Sequence, residues 1–111
     1  MDSILNDIKK LVGLTEEYKV FDKDIITYIN TVFLALAQMG VGPETPFSIE
    51  GESDTWDDFA ELSSMESVKT YIAKRVTLMF DPPTSSALEQ AIKDQIAELE
   101  FRLMIAEDTT T

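Results

Sequence analysis

Five acids fall between positions 50 and 58, namely Glu50, Glu52, Asp54, Asp57 and Asp58, and oxygen ligands at that density are what a hard cation such as Ca²⁺ requires. Their spacing is not that of an EF-hand loop and the central glycine is missing, so a solvated acidic loop is the better account. Gly40-Val41-Gly42 offers backbone amides that could face a phosphate. It follows a helical pattern instead of a strand and lacks a third glycine and a Lys-Ser/Thr pair, which makes it a turn. The carboxylate pairs Glu98/Glu100 and Glu16/Glu17 point different ways on a helix and do not form an acid and base pair. Lys69, Lys74 and Arg75 are the one local positive cluster, and acids outnumber them elsewhere in the chain, so ion pairing is the reading for them. The chain has no cysteine and no histidine. That excludes disulfides, thiolate nucleophiles, Cys/His zinc sites and histidine general bases. The expectation is a protein without catalytic residues, metal ligands or a cofactor.

Charge narrows the range of partners. Nine Lys and Arg face 21 Asp and Glu, a formal net charge of -12, and nucleic-acid affinity comes largely from basic side chains displacing counterions. No Lys or Arg occurs between Lys23 and Lys69, so that stretch repels a phosphate backbone. No apolar run approaches the roughly 20 residues of a membrane span. Met1-Asp2-Ser3-Ile4 lacks the basic start of a signal peptide, and a soluble protein made in a cytoplasm is expected. At 111 residues and 44% hydrophobic the chain can build one core, read as a single helical domain over 1–106 and a short tail over 107–111.

The elements follow from periodicity. Residues 63–105 read as two helices joined by Asp81-Pro82-Pro83-Thr84-Ser85, where proline cannot continue a helix and pushes its predecessor out of one. Val68, Ile72, Val76 and Met79 form one apolar stripe and Leu88, Ile92, Ile96, Leu99 and Leu103 the other, so the pair closes as an antiparallel hairpin. Capping boxes are expected at Ser63-Ser64-Met65-Glu66 and Ser86-Ala87-Leu88-Glu89. Upstream, Ser3 or Asp2 caps a short helix with Ile4, Leu5, Ile8, Leu11 and Val12 inward, and Gly13 stops it. A second helix runs from Asp22 to Met39-Gly40. Its middle is apolar almost all round, which makes it either central to the subunit or shared with a neighbour through Phe33, Leu34 and Leu36. Between 40 and 63 the period is lost: Phe47-Ser48-Ile49 could be a fragment of strand, and Trp56 and Phe59 sit on a capped helical turn that would pin the long loop to the core. The fold class is an all-α bundle of about four helices with an aromatic-pinned loop and a C-terminal arm.

One string carries a resemblance. Val68-Lys69-Thr70-Tyr71-Ile72-Ala73-Lys74-Arg75-Val76-Thr77-Leu78-Met79-Phe80-Asp81-Pro82-Pro83-Thr84-Ser85-Ser86, followed by Glu98-Leu99-Glu100-Phe101-Arg102-Leu103, resembles the head-tail connector (adaptor) proteins of tailed bacteriophages. Phe21-Asp22-Lys23-Asp24-Ile25, Ile29-Asn30-Thr31-Val32-Phe33, Gly40-Val41-Gly42-Pro43 and Thr55-Trp56-Asp57-Asp58-Phe59 stand in the same order as in that group. The resemblance implies a structural protein of the virion neck that forms a homo-oligomeric ring, typically dodecameric, beneath the portal protein. It also implies a tail-side connector or stopper protein as a further partner, with DNA passing through unbound. Asp108, Thr109, Thr110 and Thr111 are then a candidate portal-docking arm, since a threonine-rich segment can add to a sheet edge. A competing reading from charge alone is an acidic DNA mimic that occupies a basic groove on a host enzyme.

Overall fold

The computed structural model describes the backbone of residues 2–110 and the side chains of residues 2–105. Five helices appear in order: α1 (Ile4–Leu11), α2 (Asp22–Gln38), α3 (Trp56–Phe59), α4 (Met65–Phe80) and α5 (Ser86–Thr110). No strand forms among the described residues, and a single antiparallel bridge joins Ser3 to Thr55. The result is a slab of 41 × 36 × 19 Å. The arm expected at Asp108, Thr109, Thr110 and Thr111 lies outside the described side chains.

Local chemistry sets the helix ends. Ser3 is extended and its Oγ accepts from Asn6 N, capping α1. Helices α1 and α2 stop in the same way. Gly13 and Gly40 take φ of 92° and 82°, Gly13 N and Leu14 N donate to Lys10 O and Lys9 O, and Gly40 N and Val41 N donate to Ala37 O and Leu36 O. This paired bonding past the last turn needs a residue at positive φ, which glycine supplies without a steric penalty. Helix α4 ends at Phe80, just before the Asp81-Pro82-Pro83 turn.

Helix α4 is the hub. It packs on α1, α2 and α5, and its Val68, Tyr71, Ile72, Ala73 and Val76 are buried. From α2 come Ile25, Ile29, Val32, Phe33 and Leu36, and from α1 Ile4, Leu5 and Ile8. Helix α5 contributes Ile96 and Leu103 as buried residues, and Ile92 and Leu99 of α5, like Met79 of α4, are partly buried against the core. A polar clamp adds direction to the α4–α5 contact. The Tyr71 hydroxyl donates to Glu100 Oε2 at 2.7 Å and accepts from Arg75 Nη1 at 3.1 Å. Burial, and then the carboxylate acceptor, push the phenol up to about 12, and Arg75 offsets part of this.

Several details differ from expectation. Leu88 is 55% exposed, because the buried side of α5 is centred on Ile96 and Leu103, and Leu88 lies roughly 70° round from that centre at about 100° per residue. Leu11 is exposed for the same geometric reason, and the buried side of α1 turns instead towards Lys9. Neither expected capping box forms on the hairpin. Ser64 sits at φ -93°, ψ 17° and makes no cap hydrogen bond, since an N-cap oxygen reaches the first turn from extended backbone. At the second site Ser85, one residue earlier than expected, accepts from Leu88 N. Phe47-Ser48-Ile49 has no neighbouring strand. Asn30 pairs with Ile49 instead, its Oδ1 accepting from Ile49 N at 2.8 Å and its Nδ2 donating to Ile49 O at 3.0 Å.

Two outcomes follow from this packing. Val76→Asp places an unpaired carboxylate at a fully buried position and is expected to cost several kcal/mol, about 3 or more, whereas Lys74→Ala should change stability by less than about 0.5; thermal melts compare them directly, and equal melting temperatures would contradict the hub assignment. The second concerns pH. A phenol held at about 12 in the fold and near 10 when unfolded keeps its proton longer when folded, so stability falls as pH rises from 10 towards 12. Denaturant titrations across that range should show a loss that Tyr71→Phe abolishes, and an identical loss in both proteins would refute it.

Candidate functional site

The acids that could have gathered a ligand are spent on loop architecture or stand in solvent. Asp54 Oδ2 accepts from Glu50 N and Gly51 N, and Asp58 Oδ2 accepts from Thr55 N at the start of α3. Glu50, Glu52, Asp57 and Asp58 are exposed. Among the described residues no group of three or more carboxylates converges as a cation would require. A cleft of about 520 Å³ is open and lined by Asp2, Trp56, Asp57, Glu61 and Lys69 among others. It contains no arrangement of nucleophile and base. Of the basic cluster, Lys69 stands 5.2 Å over the Trp56 ring and 3.8 Å from Glu66, and Arg75 serves the clamp. Lys74 makes no ion pair among the described residues.

Trp56 and Phe59 are both buried and tie the long loop down at two places. Trp56 Nε1 donates to Asp7 Oδ2 of α1 at 2.8 Å. Phe59 packs on Phe33 and Phe47, with centroids 4.8 and 5.6 Å away, and its ring lies so close to Gly42 that a Cβ there would sit 2.6 Å from it. This aromatic cluster alters one expectation. Phe33 and Leu36 are 1% and 0% exposed within the subunit, Phe33 against Phe47 and Phe59 of the loop and Leu36 among the buried residues of the core, so the subunit itself covers both. Leu34 remains exposed on the outer side of α2.

Sequence reading missed Lys9. It is wholly buried, with Nζ 2.8 Å from Asp22 Oδ1 and 3.1 Å from Glu16 O, so a buried charge fastens α1 to the start of α2. The only sequence signal was a lysine on the apolar side of a short helix, and a long stem usually carries such a charge back to water.

The surface that stands out is apolar. Phe101, Met104 and Ile105 on the last described turns of α5 are all exposed, Phe101 at 65%. Spaced by three and four, they share one side of the helix, turned away from the Ile96 and Leu103 side that packs inward. On the other flank of α5 a groove of about 310 Å³ runs between Leu11 of α1 and Ile92 of α5, floored by Thr70, Ala73, Lys74 and Thr77 of α4. A further 260 Å³ extends it past Asp7, Lys10, Glu66 and Lys69. Exposed apolar side chains grouped in this way mark interaction surfaces.

Comparison with known proteins bears on what these surfaces serve. A family model described as phage connector protein matches residues 4–110. No curated protein and no solved structure matches the chain. Among the described residues no helix is long and apolar enough to cross a membrane. The match takes in all five helices, the loop and both exposed apolar surfaces, and the chain belongs to the phage connector protein family.

Proposed function

We propose that the chain is a head-tail connector subunit that assembles with further copies into a ring beneath the portal, dodecameric as the resemblance implies. It links the capsid to a tail-side connector or stopper protein and extends the channel through which DNA passes. The observation that carries this reading is the two-sided apolar character of α5. One side is spent on α4 inside the subunit, and the other presents Phe101, Met104 and Ile105 to solvent, as an assembly subunit requires. The slab shape, 19 Å in its thin dimension, suits side-by-side packing of copies. A formal charge of -12 suits a conduit that DNA slides through without sticking. An acidic mimic of DNA would need charge, and not an apolar patch, at its working surface.

Charge also sets the conditions of assembly. Copies brought together repel one another across exposed faces within a Debye length of about 8 Å at physiological salt, and apolar contact must exceed that repulsion. A portal ring changes the balance by holding copies at high effective concentration. Sedimentation of the purified chain is expected to show mostly monomer at low salt, a shift towards oligomer at high salt, and complete rings when portal is added. No association with portal at any salt would refute the connector reading. In the same samples, fluorescence anisotropy should detect no duplex DNA binding at physiological salt, and micromolar affinity would contradict a passive conduit.

A further inference from the structure

The proposed ring needs two surfaces that fit each other, and the structure offers a matched pair. We propose that copies join head to tail, the outer side of α5 in one copy (Phe101, Met104 and Ile105) seating in the groove over α4 of the next. The inference rests on the ring reading and names the contact within it.

Three observations carry it. The first is placement. Ile92, which walls the groove, and Phe101 are nine residues apart on one straight element, and nine steps of about 100° put them about 180° apart. Socket and plug therefore lie on opposite sides of the same helix. A surface that meets a different surface on the next copy is heterologous, and such contacts either close into rings or run on as filaments. The second is shape. The groove floor carries Thr70, Ala73 and Thr77, small side chains at spacings of three and four that leave room for large ones from a neighbour, and Leu11 and Ile92 supply apolar walls. An amphipathic helix laid in such a groove anchors by side chains spaced three and four apart, the spacing of Phe101, Met104 and Ile105.

The third is charge. In a chain of net charge -12 the groove brings together Lys10, Lys69 and Lys74, against Asp7 and Glu66. Lys10 lies 3.3 Å from Glu16, and Lys69 lies 3.8 Å from Glu66 and 5.2 Å over the Trp56 ring, which leaves Lys74 as the lysine most open to a new partner. The α5 surface supplies acids. Asp94 lies two turns before Phe101 on the same side, Glu98 flanks it while also holding Arg102 at 2.7 Å, and the sequence runs on into Glu107 and Asp108. A groove whose unpaired charge among the described residues is Lys74, meeting an acid-flanked apolar ridge, favours one orientation over like-with-like pairing.

The absence of native cysteine makes the pairing directly testable. Thr70→Cys lies in the groove and Met104→Cys on the ridge, both at exposed positions, so neither should disturb folding. Lys74→Cys with Phe101→Cys provides a second pair. Each pair is mixed with portal and treated with a short bismaleimide, and assembly of the same samples is followed by sedimentation. The expected result is a cross-linked dimer in each mixture and little in either variant alone, with a ladder of linked copies from the double variant Thr70→Cys/Met104→Cys. Rings that sediment normally but give no groove-to-ridge link would overturn this contact while leaving the ring reading intact. Dimers from Met104→Cys alone would show ridge meeting ridge, and links from Met104→Cys to portal would show the ridge serving another partner; either overturns the proposal. A chain that never assembles with portal would remove the ring reading and this inference with it.

Discussion

Helix α4 must hide Val68, Tyr71, Ile72, Ala73 and Val76 together, and no single neighbouring helix can cover so broad a surface. The rest of the structure is a solution to that constraint. Helix α2 takes one side, α1 closes another, and α5 lies along a third, held by Ile96 and Leu103 and by the Tyr71–Glu100–Arg75 clamp. Because Tyr71 is fully buried, its hydroxyl must find partners inside the fold, and Glu100 and Arg75 are those partners. Leaving a buried donor without an acceptor costs about 1 to 3 kcal/mol. The clamp thus restricts how α5 can slide or turn on α4, and it is this fixed rotation that sends Phe101, Met104 and Ile105 outward.

Much of the fold could be read from the residues alone. The apolar stripe on α4, the Pro82-Pro83 break and the two glycine stops rely on local rules, and local rules act wherever their residues occur. The loop anchors Trp56 and Phe59 were legible because aromatics in an otherwise polar excursion have few other uses. What escaped depended on rotation or on distant partners. Leu88 and Leu11 sit at the margins of stripes whose centres are set by the neighbour, and periodicity alone cannot locate those centres. Phe33 and Leu36 were ambiguous between core and interface, and the fold buries both, Phe33 under the loop aromatics Phe47 and Phe59. Lys9 and Asn30 act through Asp22 and Ile49, across separations that no motif encodes.

The candidate site was less legible than the fold, and for a physical reason. Catalytic and metal sites betray themselves by residue type, and this chain has no histidine or cysteine and no converging carboxylates among the described residues. A docking surface is built instead from ordinary side chains whose meaning lies in exposure. Phe101 in the sequence looks like any core aromatic, and only the fold shows that it faces solvent. Membership in the phage connector protein family is the context in which the exposed apolar ridge, the groove and the strongly acidic composition are read as parts of the proposed assembly.

The central claim is that this subunit is completed by other copies of itself on a portal. Electron microscopy of the chain bound to its portal tests that most directly. The account predicts a closed ring coaxial with the portal channel, with every copy touching two neighbours and α5 lying at each junction. Copies bound singly around the portal rim, with no density joining one to the next, would contradict it.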